Sequence, residues 1–593
     1  MSVLPLTSMN RPDSLREYRW RVAPEMPADS PLWSAGDTVH PVLARILHNR
    51  GLGQPSQAQA FLAHHYLLSR DPFQLADMER AAERIVCALR AGQTIAVYGD
   101  FDADGVTATV LLTEALRAMS DERRLIVPYI PDRVDEGYGL NLDALTTLRA
   151  KGVDLVISVD CGIRSPVEAD HARAIGLDMI ITDHHGLGRS LPAALAVINP
   201  KRDDSAYPER MLAGVGIAFK LAQAVRLAMP ERAGWDESSL LDLVAIGTVA
   251  DLAPLQGENR KLVAEGLAVL NEVRRPGLAA RIAVSGLQPR QLTAESIGIN
   301  AAGRLKHAYD AARLLIAVDN QTALTQARLL DELNRKRQSL TRQLSARAEQ
   351  MVDPTAPIII AADSEFKSGV VGLVASRLAE KHYRPTIIME RGEHESRGSC
   401  RSIPEFHITD ALDEVADLLV RHGGHAQAAG FTIRNEDVPE FTARLTDIAA
   451  DRLAGQELLP ALEIDAELPL RDIDWALQET MARLEPTGYG NAAPLLLSRG
   501  VQVVGYRAVG ADSSHLQLHL LDGRANGQNH SRYGRSTPST LAAIAFRQAQ
   551  WAGRLPALVD VAYRVGVNQW QGESSLQLVV EDIRPTEMES IRL

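Results

Sequence analysis

"TIAVYGDFDADGVTATVLLTEALRAM" (residues 94–119) passes from a short apolar run through three alternate aspartates, Asp100, Asp102 and Asp104, into a helical pattern. An apolar run without polar alternation is the mark of a strand buried on both faces, as in parallel sheets covered by helices. "RLIVPYI", "VDLVISV", "LDMIIT" and "LAVIN" repeat that strand pattern, with helix-like segments such as "SPVEADHARAIG" between them. Strand–helix alternation at this spacing predicts a doubly wound parallel sheet. In such a sheet the ligand crevice lies beyond the carboxyl ends of the strands.

Three of these strands end in side chains that carry chemistry. "TIAVYG" runs into the three aspartates, "LVISV" into Asp160, and "MIIT" into Asp183, His184 and His185. Asp251 follows on "SLLDLVAIGTVADLAPL", which reads as a helix ending near Pro254. Each aspartate taken alone could simply cap the next helix. Together, several carboxylates and one or two imidazoles suit Mn²⁺ or Mg²⁺ better than a thiolate-selected ion. If the chain stays extended, period-2 spacing turns Asp102 and Asp104 to one side, so each could serve one of two adjacent ions. Two such ions stabilise both oxygens of an in-line phosphoryl displacement. Gly99, Gly105, Gly162 and Gly186 flank these places and read either as tight turns or as room for a phosphate.

The totals limit the remaining readings. A chain of 593 residues is too long for one core. No stretch has the apolar length of a membrane span, and "MSVLPLTSMNRPDSLREYRW" lacks a signal peptide's apolar core. Cys87, Cys161 and Cys400 are scattered, which argues against a disulfide framework and for a cytoplasmic setting. Net charge is −12, yet residues 501–564 hold seven arginines against Asp512, Asp522 and Asp560. That local basic surplus is either a solvated face or a footprint for nucleic acid.

Five segments follow from these patterns: a mostly helical region (1–80), the sheet domain (81–275), a helical connector (276–352), a second α/β unit (353–452) and a small antiparallel β-domain of OB-like pattern (453–593). A second cluster lies in the later α/β unit. "RGSCRSI" places Ser399 and Arg401 two apart, and "RHGGHAQAAGF" reads as a Gly/Ala-rich turn holding His425. Arg304 in "NAAGRL" is a further anion ligand by type, since guanidinium forks grip phosphate oxygens.

In this order, "GDFDADGVTAT", "PDRVDEGYGL", "SVDCGI", "ITDHHG", "LAGVGIAFKL", "GTVADLAPLQGENR", "NAAGR", "GSCRSI" and "GGHAQAAGF" closely resemble the RecJ-type exonucleases of the DHH phosphoesterase superfamily, over nearly the whole chain. The resemblance implies a DHH domain, a DHH-associated domain joined by a long helix, and an OB-fold that grips the strand. It implies a bacterial 5′→3′ exonuclease for single-stranded DNA in repair and recombination, dependent on two Mn²⁺ or Mg²⁺ ions. Asp102, Asp104, Asp160, His184 and Asp251 match the metal-binding positions, His185 adjoins the scissile phosphate, and Asp100 supports from behind. Arg304, Ser399 and Arg401 match a pocket for the 5′-terminal phosphate, and His425 lies on a substrate-facing turn. Phe366-Lys367 stands where relatives commonly carry Trp-His, which leaves Lys367 to meet a phosphate, and Tyr98 stands where some branches place a histidine ligand. "SIG" and "NAAGR" nearly abut, where relatives have several residues more.

For stacking on bases, Tyr506, Tyr533 and Trp570 are the aromatic candidates. Expected partners are single-stranded DNA, a single-strand-binding protein and a DNA helicase, for a monomer without membrane contact. Two alternatives share the fold: a phosphoesterase for short oligonucleotides, cyclic dinucleotides or polyphosphate, and an inactive strand-binding scaffold.

Overall fold

The computed structural model describes residues 17–33, 40–131, 139–232, 234–296, 308–522, 540–570 and 572–586. Arg304, Tyr533 and the Trp570 side chain fall outside the described residues, as does most of "PDRVDEGYGL". The chain divides into two compact units: Leu52–Asn334 with Ala482–Ala493, and Met1–Gly51 with Arg335–Met481 and Pro494–Leu593. Among the described residues no helix is long and apolar enough to cross a membrane.

The N-terminal stretch opens on strand β1 (Arg19–Val22) before helix α1 (Pro41–Asn49), so it is not only helical. The first unit then runs through α2 (Pro55–Leu62) and α3 (Met78–Arg90) into its sheet: β2 (Ile95–Gly99), α4 (Ala103–Met119), β3 (Ile126–Tyr129), α5 (Leu142–Ala150), β4 (Leu155–Val159), α6 (Pro166–Ala174), β5 (Asp178–Thr182) and β6 (Ala196–Ile198). All pairings are parallel, in the order β3-β2-β4-β5-β6. This is the doubly wound sheet expected from the apolar runs. The order reverses at β2, which puts the switch point between the ends of β2 and β4.

Alternate residues of the buried strands enter two cores. Ile95, Val97, Ile157, Val159 and Ile180 pack under α3 and α4 with two further helices, α7 (Gly214–Ala228) and α8 (Leu241–Ala250). Ala96, Tyr98, Val156, Met179 and Ile181 pack under α5 and α6 on the opposite face. Helix α8 ends four residues before Pro254, because Leu252 turns left-handed (φ 58°). The amides of Leu252 and Ala253 donate to Val249 and Thr248, which is a Schellman stop. Helix α9 (Gly257–Asn271) follows directly.

In the second unit, β7 (Ile359–Asp363), β8 (Thr386–Arg391), β9 (Glu395–Arg401), β10 (Leu419–His425) and β11 (Ala428–Arg434) form a mixed sheet in the order β10-β11-β9-β8-β7. The Gly/Ala-rich run is therefore mostly two strands of a hairpin, with a turn of only two residues. One face is covered by the helix Ser368–His382 and by Leu344 and Ala348 of the long helix Asn320–Glu349. The other carries Phe406, Phe431 and Phe441.

After β12 (Ala461–Ile464), which pairs in parallel with β1, and the short β13 (Ala466–Glu467), come β14 (Leu496–Val509), β15 (His515–Asp522), β16 (Leu541–Ala545), β17 (Leu558–Trp570) and β18 (Glu573–Pro585). The additional β14–β17 pairing closes β14-β15-β16-β18-β17 into a five-stranded barrel. It is not wholly antiparallel, since β16 runs parallel to β18. "LAAIA", which is β16, is too short and alanine-rich to stand out as a strand.

Candidate active site

The helix begins immediately after β2, and this decides where the aspartates go. Asp102 is the N-cap of α4, its Oδ1 accepting from the Gly105 amide at 3.0 Å. Asp104 is the second residue of α4, within its first turn, and is buried. The chain turns helical at Ala103, so the two aspartates do not follow the period-2 alternation of an extended strand. Their carboxylates join different groups: Asp100, Asp102 and Asp160 in one, Asp104, His184 and Asp251 in another, each with ligand atoms within 4.8 Å. Asp100, expected behind the ligands, offers a carboxylate oxygen to the first of these groups. A third group, Asp160, His184 and His185, links the two.

His184 sits at the centre. Its Nε2 lies 3.1 Å from Asp160 Oδ1, 3.7 Å from Asp251 Oδ2 and 3.9 Å from Asp104 Oδ2. Asp104 receives the N-terminus of α7, with Gly214 N to Oδ2 at 2.7 Å and Val215 N to Oδ1 at 2.8 Å. Gly214 makes that approach possible, since a Cβ on it would fall 2.7 Å from Asp160 Cβ.

Burial and crowding set the protonation. Burial, reinforced by Asp251 and Asp102, raises the Asp104 pKa well above the usual carboxylate range. Burial with Asp104 and Asp102 does the same to Asp160. Asp251 is pushed up to about 7 by burial and the Asp102 charge. Burial and the neighbouring His185 push His184 down to about 3, leaving a neutral imidazole. Burial works against charge on His185, but the hydrogen bond and charge of Asp183 outweigh it and raise its pKa.

A divalent cation fits this donor set. Both carboxylate oxygens of Asp160 are buried and accept no hydrogen bond, and Nε2 of His184 is likewise unbonded. Asp160 also takes a left-handed backbone (φ 61°), a conformation aspartate tolerates better than most residues. Carboxylate and imidazole donors without thiolate suit Mn²⁺ or Mg²⁺. Tyr98 is no donor to this site: it is buried in the α5/α6 core and its hydroxyl donates to Gly139 O at 3.1 Å.

The sequence shows Asp183 as a strand-end acid but not its holding role, and it does not single out Asn199 or Lys201. Asp183 accepts from Ile163 N, His185 N and His185 Nδ1 at 2.8–2.9 Å, which fixes the ring. After β6, Asn199 donates to His185 O at 3.0 Å, and Lys201 Nζ donates to His184 O. The position of "NPK" beyond a strand end was the available signal.

In the second unit, Ser399 and Arg401 lie on one face of β9, with Arg401 Nη1 donating to Ser399 Oγ at 3.3 Å. Gly372 opens the space above, since a Cβ there would stand 3.1 Å from Ser399 Oγ and 3.2 Å from Arg401 Nη2. Lys367 is exposed at the N-cap of the same helix, its Nζ donating to Ser364 O. Register extends the face across the sheet. Arg401 is level with Ala428 and His425, Ser399 with Gly430 and Gly423, and Arg397 with Thr432 and Arg421. Arg397 and Arg421, exposed and on that same face, were not singled out from sequence. On the barrel, Tyr506 is half-exposed with its hydroxyl accepting from Gly553 N. Phe546, 54% exposed and edge-on to His515 at 5.3 Å, is an exposed aromatic that was not named from sequence.

Strand-end carboxylates around an imidazole pair define a divalent-metal phosphoesterase of the DHH class. The DHH family N-terminal domain matches residues 94–248, the DHHA1 domain 355–451 and the RecJ OB domain 464–582. The single-stranded-DNA-specific exonuclease RecJ of Bacillus subtilis is 34% identical over 96% of this chain and 71% of its own length. That of Salmonella typhimurium is 31% identical over 97% of this chain and 100% of its own. The crystal structure of RecJ in complex with Mn²⁺ from Thermus thermophilus superposes with a TM-score of 0.79 at 31% identity, covering 96% of this chain and 80% of that one. A Mg²⁺ complex of the Thermus protein gives 0.74 at 30% identity, covering 96% and 79%. The chain belongs to the RecJ family.

Proposed function

We propose that this protein is a divalent-metal-dependent exonuclease that degrades single-stranded DNA 5′→3′ to mononucleotides, in DNA repair and recombination. The observation that carries this reading is the pair of buried, hydrogen-bond-free oxygens on Asp160, which belongs to two of three overlapping donor groups. The RecJ OB domain favours a long strand over the small substrates of the alternative reading.

We assign Asp102, Asp104, Asp160, His184 and Asp251, with Asp100 beside them, to two Mn²⁺ or Mg²⁺ ions. Bound there, such ions supply positive charge to the phosphoryl oxygens and lower the pKa of water. Neutral His184 offers its nitrogen without first losing a proton. His185, held through Nδ1 by Asp183, donates from Nε2 to a phosphate oxygen. Ser399, Arg401, Lys367, His425 and Arg304 are assigned to the 5′-terminal phosphate and the sugar–phosphate backbone near it. We assign catalysis to 81–275, end recognition to 353–452 and strand grip to 453–593, with 276–352 as connector and 1–80 as an N-terminal region. Three free thiols support a cytoplasmic setting. A single-strand substrate calls for a helicase to unwind it and a single-strand-binding protein to keep it open.

Asp160→Asn tests the assignment. Hydrolysis is expected to fall by about 10³-fold or more, with the circular dichroism spectrum and strand binding in EDTA retained. Near-wild-type turnover would remove Asp160 from the metal site.

A further inference from the structure

We infer that residues Ala482–Ala493 form a strap that positions Asp251, an inference that rests on reading Asp251 as a metal ligand. Asp251 is the C-cap of α8, and the Schellman hydrogen bonds of Leu252 and Ala253 tie the chain to that helix only as far as residue 253. The next residue, Leu252, occupies the left-handed region usually given to glycine and is 67% exposed, so its side chain contributes little packing there.

The strap holds the residues that follow. Leu255 N donates to Tyr489 O at 2.7 Å, and Gln256 Nε2 donates to Gly490 O at 2.7 Å. Gly490, at φ 74°, lets the two backbones approach, since a Cβ on it would lie 3.0 Å from Pro254 Cβ. The strap is itself pinned from α9. The buried Arg260 guanidinium donates to the carbonyls of Leu484, Glu485 and Pro486 at 2.8–3.0 Å and stacks on Phe61 at 3.8 Å. Asn491 closes the loop by donating to Leu484 O and Pro486 O. Residues 252–256 are therefore held between the strap and the start of α9. The twelve strap residues pack in the catalytic unit, although the chain on both sides of them belongs to the other unit.

The test is Mn²⁺ binding to the full chain, followed by electron paramagnetic resonance, for Gln256→Ala, Arg260→Lys, Asp251→Asn and the doubles with Asp251→Asn. Gln256→Ala removes one hydrogen bond from an exposed side chain, so it keeps the test open if Arg260→Lys fails to fold. Both strap variants are expected to weaken Mn²⁺ binding about 10-fold, to lower kcat with KM for single strands unchanged, and to speed amide exchange at Leu255 in the metal-free protein. In the Asp251→Asn background they are expected to add nothing to the loss of Mn²⁺ affinity. Wild-type Mn²⁺ affinity in the strap variants, or an equal loss with and without Asp251, would overturn the positioning role. Unaltered Mn²⁺ binding in Asp251→Asn alone would instead overturn the ligand assignment, leaving the amide-exchange result to report on the strap.

Discussion

At Asp160 two unfavourable features meet: a left-handed backbone, and a carboxylate with both oxygens buried and no hydrogen bond. Asp104 and Asp251 share the same crowding, and all three carry raised pKa values. Their effect on stability has a definite sign. Between about pH 4, where an unfolded aspartate ionises, and about 7, the value for Asp251, the folded metal-free chain holds protons that the unfolded chain has released. Metal-free stability therefore falls as pH rises through that window. A cation replaces those protons, so it binds more tightly at higher pH. The rise in Tm on adding saturating Mn²⁺ is expected to grow from pH 5.5 to 8 in thermal melts. A rise that is flat or shrinking with pH would contradict the donor set.

At the scale of elements, β9 and the β10–β11 hairpin make a face with Arg397, Arg401, Arg421 and His425 around Gly423 and Gly430. Arg397→Ala and Arg421→Ala are each expected to weaken single-strand binding several-fold. Each should lower the slope of log K against log salt by about 0.7, the share of one phosphate contact, leaving any preference for a 5′-phosphate intact. Fluorescence anisotropy across a salt series checks this, and an unaltered slope would remove the residue from the strand's path. That face was hidden in the sequence because "RHGGHAQAAGF" lacks the β-branched residues that mark strands. The parallel sheet was legible because each strand is apolar throughout. Its strand-end donors were legible because the crevice rule gathers them regardless of their distance in sequence. The start of the following helix at Ala103 was not, since the alternating aspartates read equally as extended chain. The strap was not either, because its contacts join residues more than 200 positions apart.

For the whole molecule, one chain carries three groups of carboxylates and imidazoles able to hold a metal ion, an arginine-bearing sheet face and a closed five-stranded barrel with exposed Phe546. Truncation after residue 452 would remove the strap along with the barrel, so loss of activity on truncation would not isolate strand binding. The central claim is direction, strandedness and metal dependence together, and one digestion series reads all three. Single- and double-stranded DNA, labelled at the 5′ or the 3′ end, is incubated with Mn²⁺ or EDTA. The 5′ label is expected to leave single strands at once as mononucleotide in Mn²⁺, while the 3′ label stays on shortening chains. Blunt duplex and EDTA reactions should remain intact. Early release of the 3′ label, or digestion that persists in EDTA, would contradict the account.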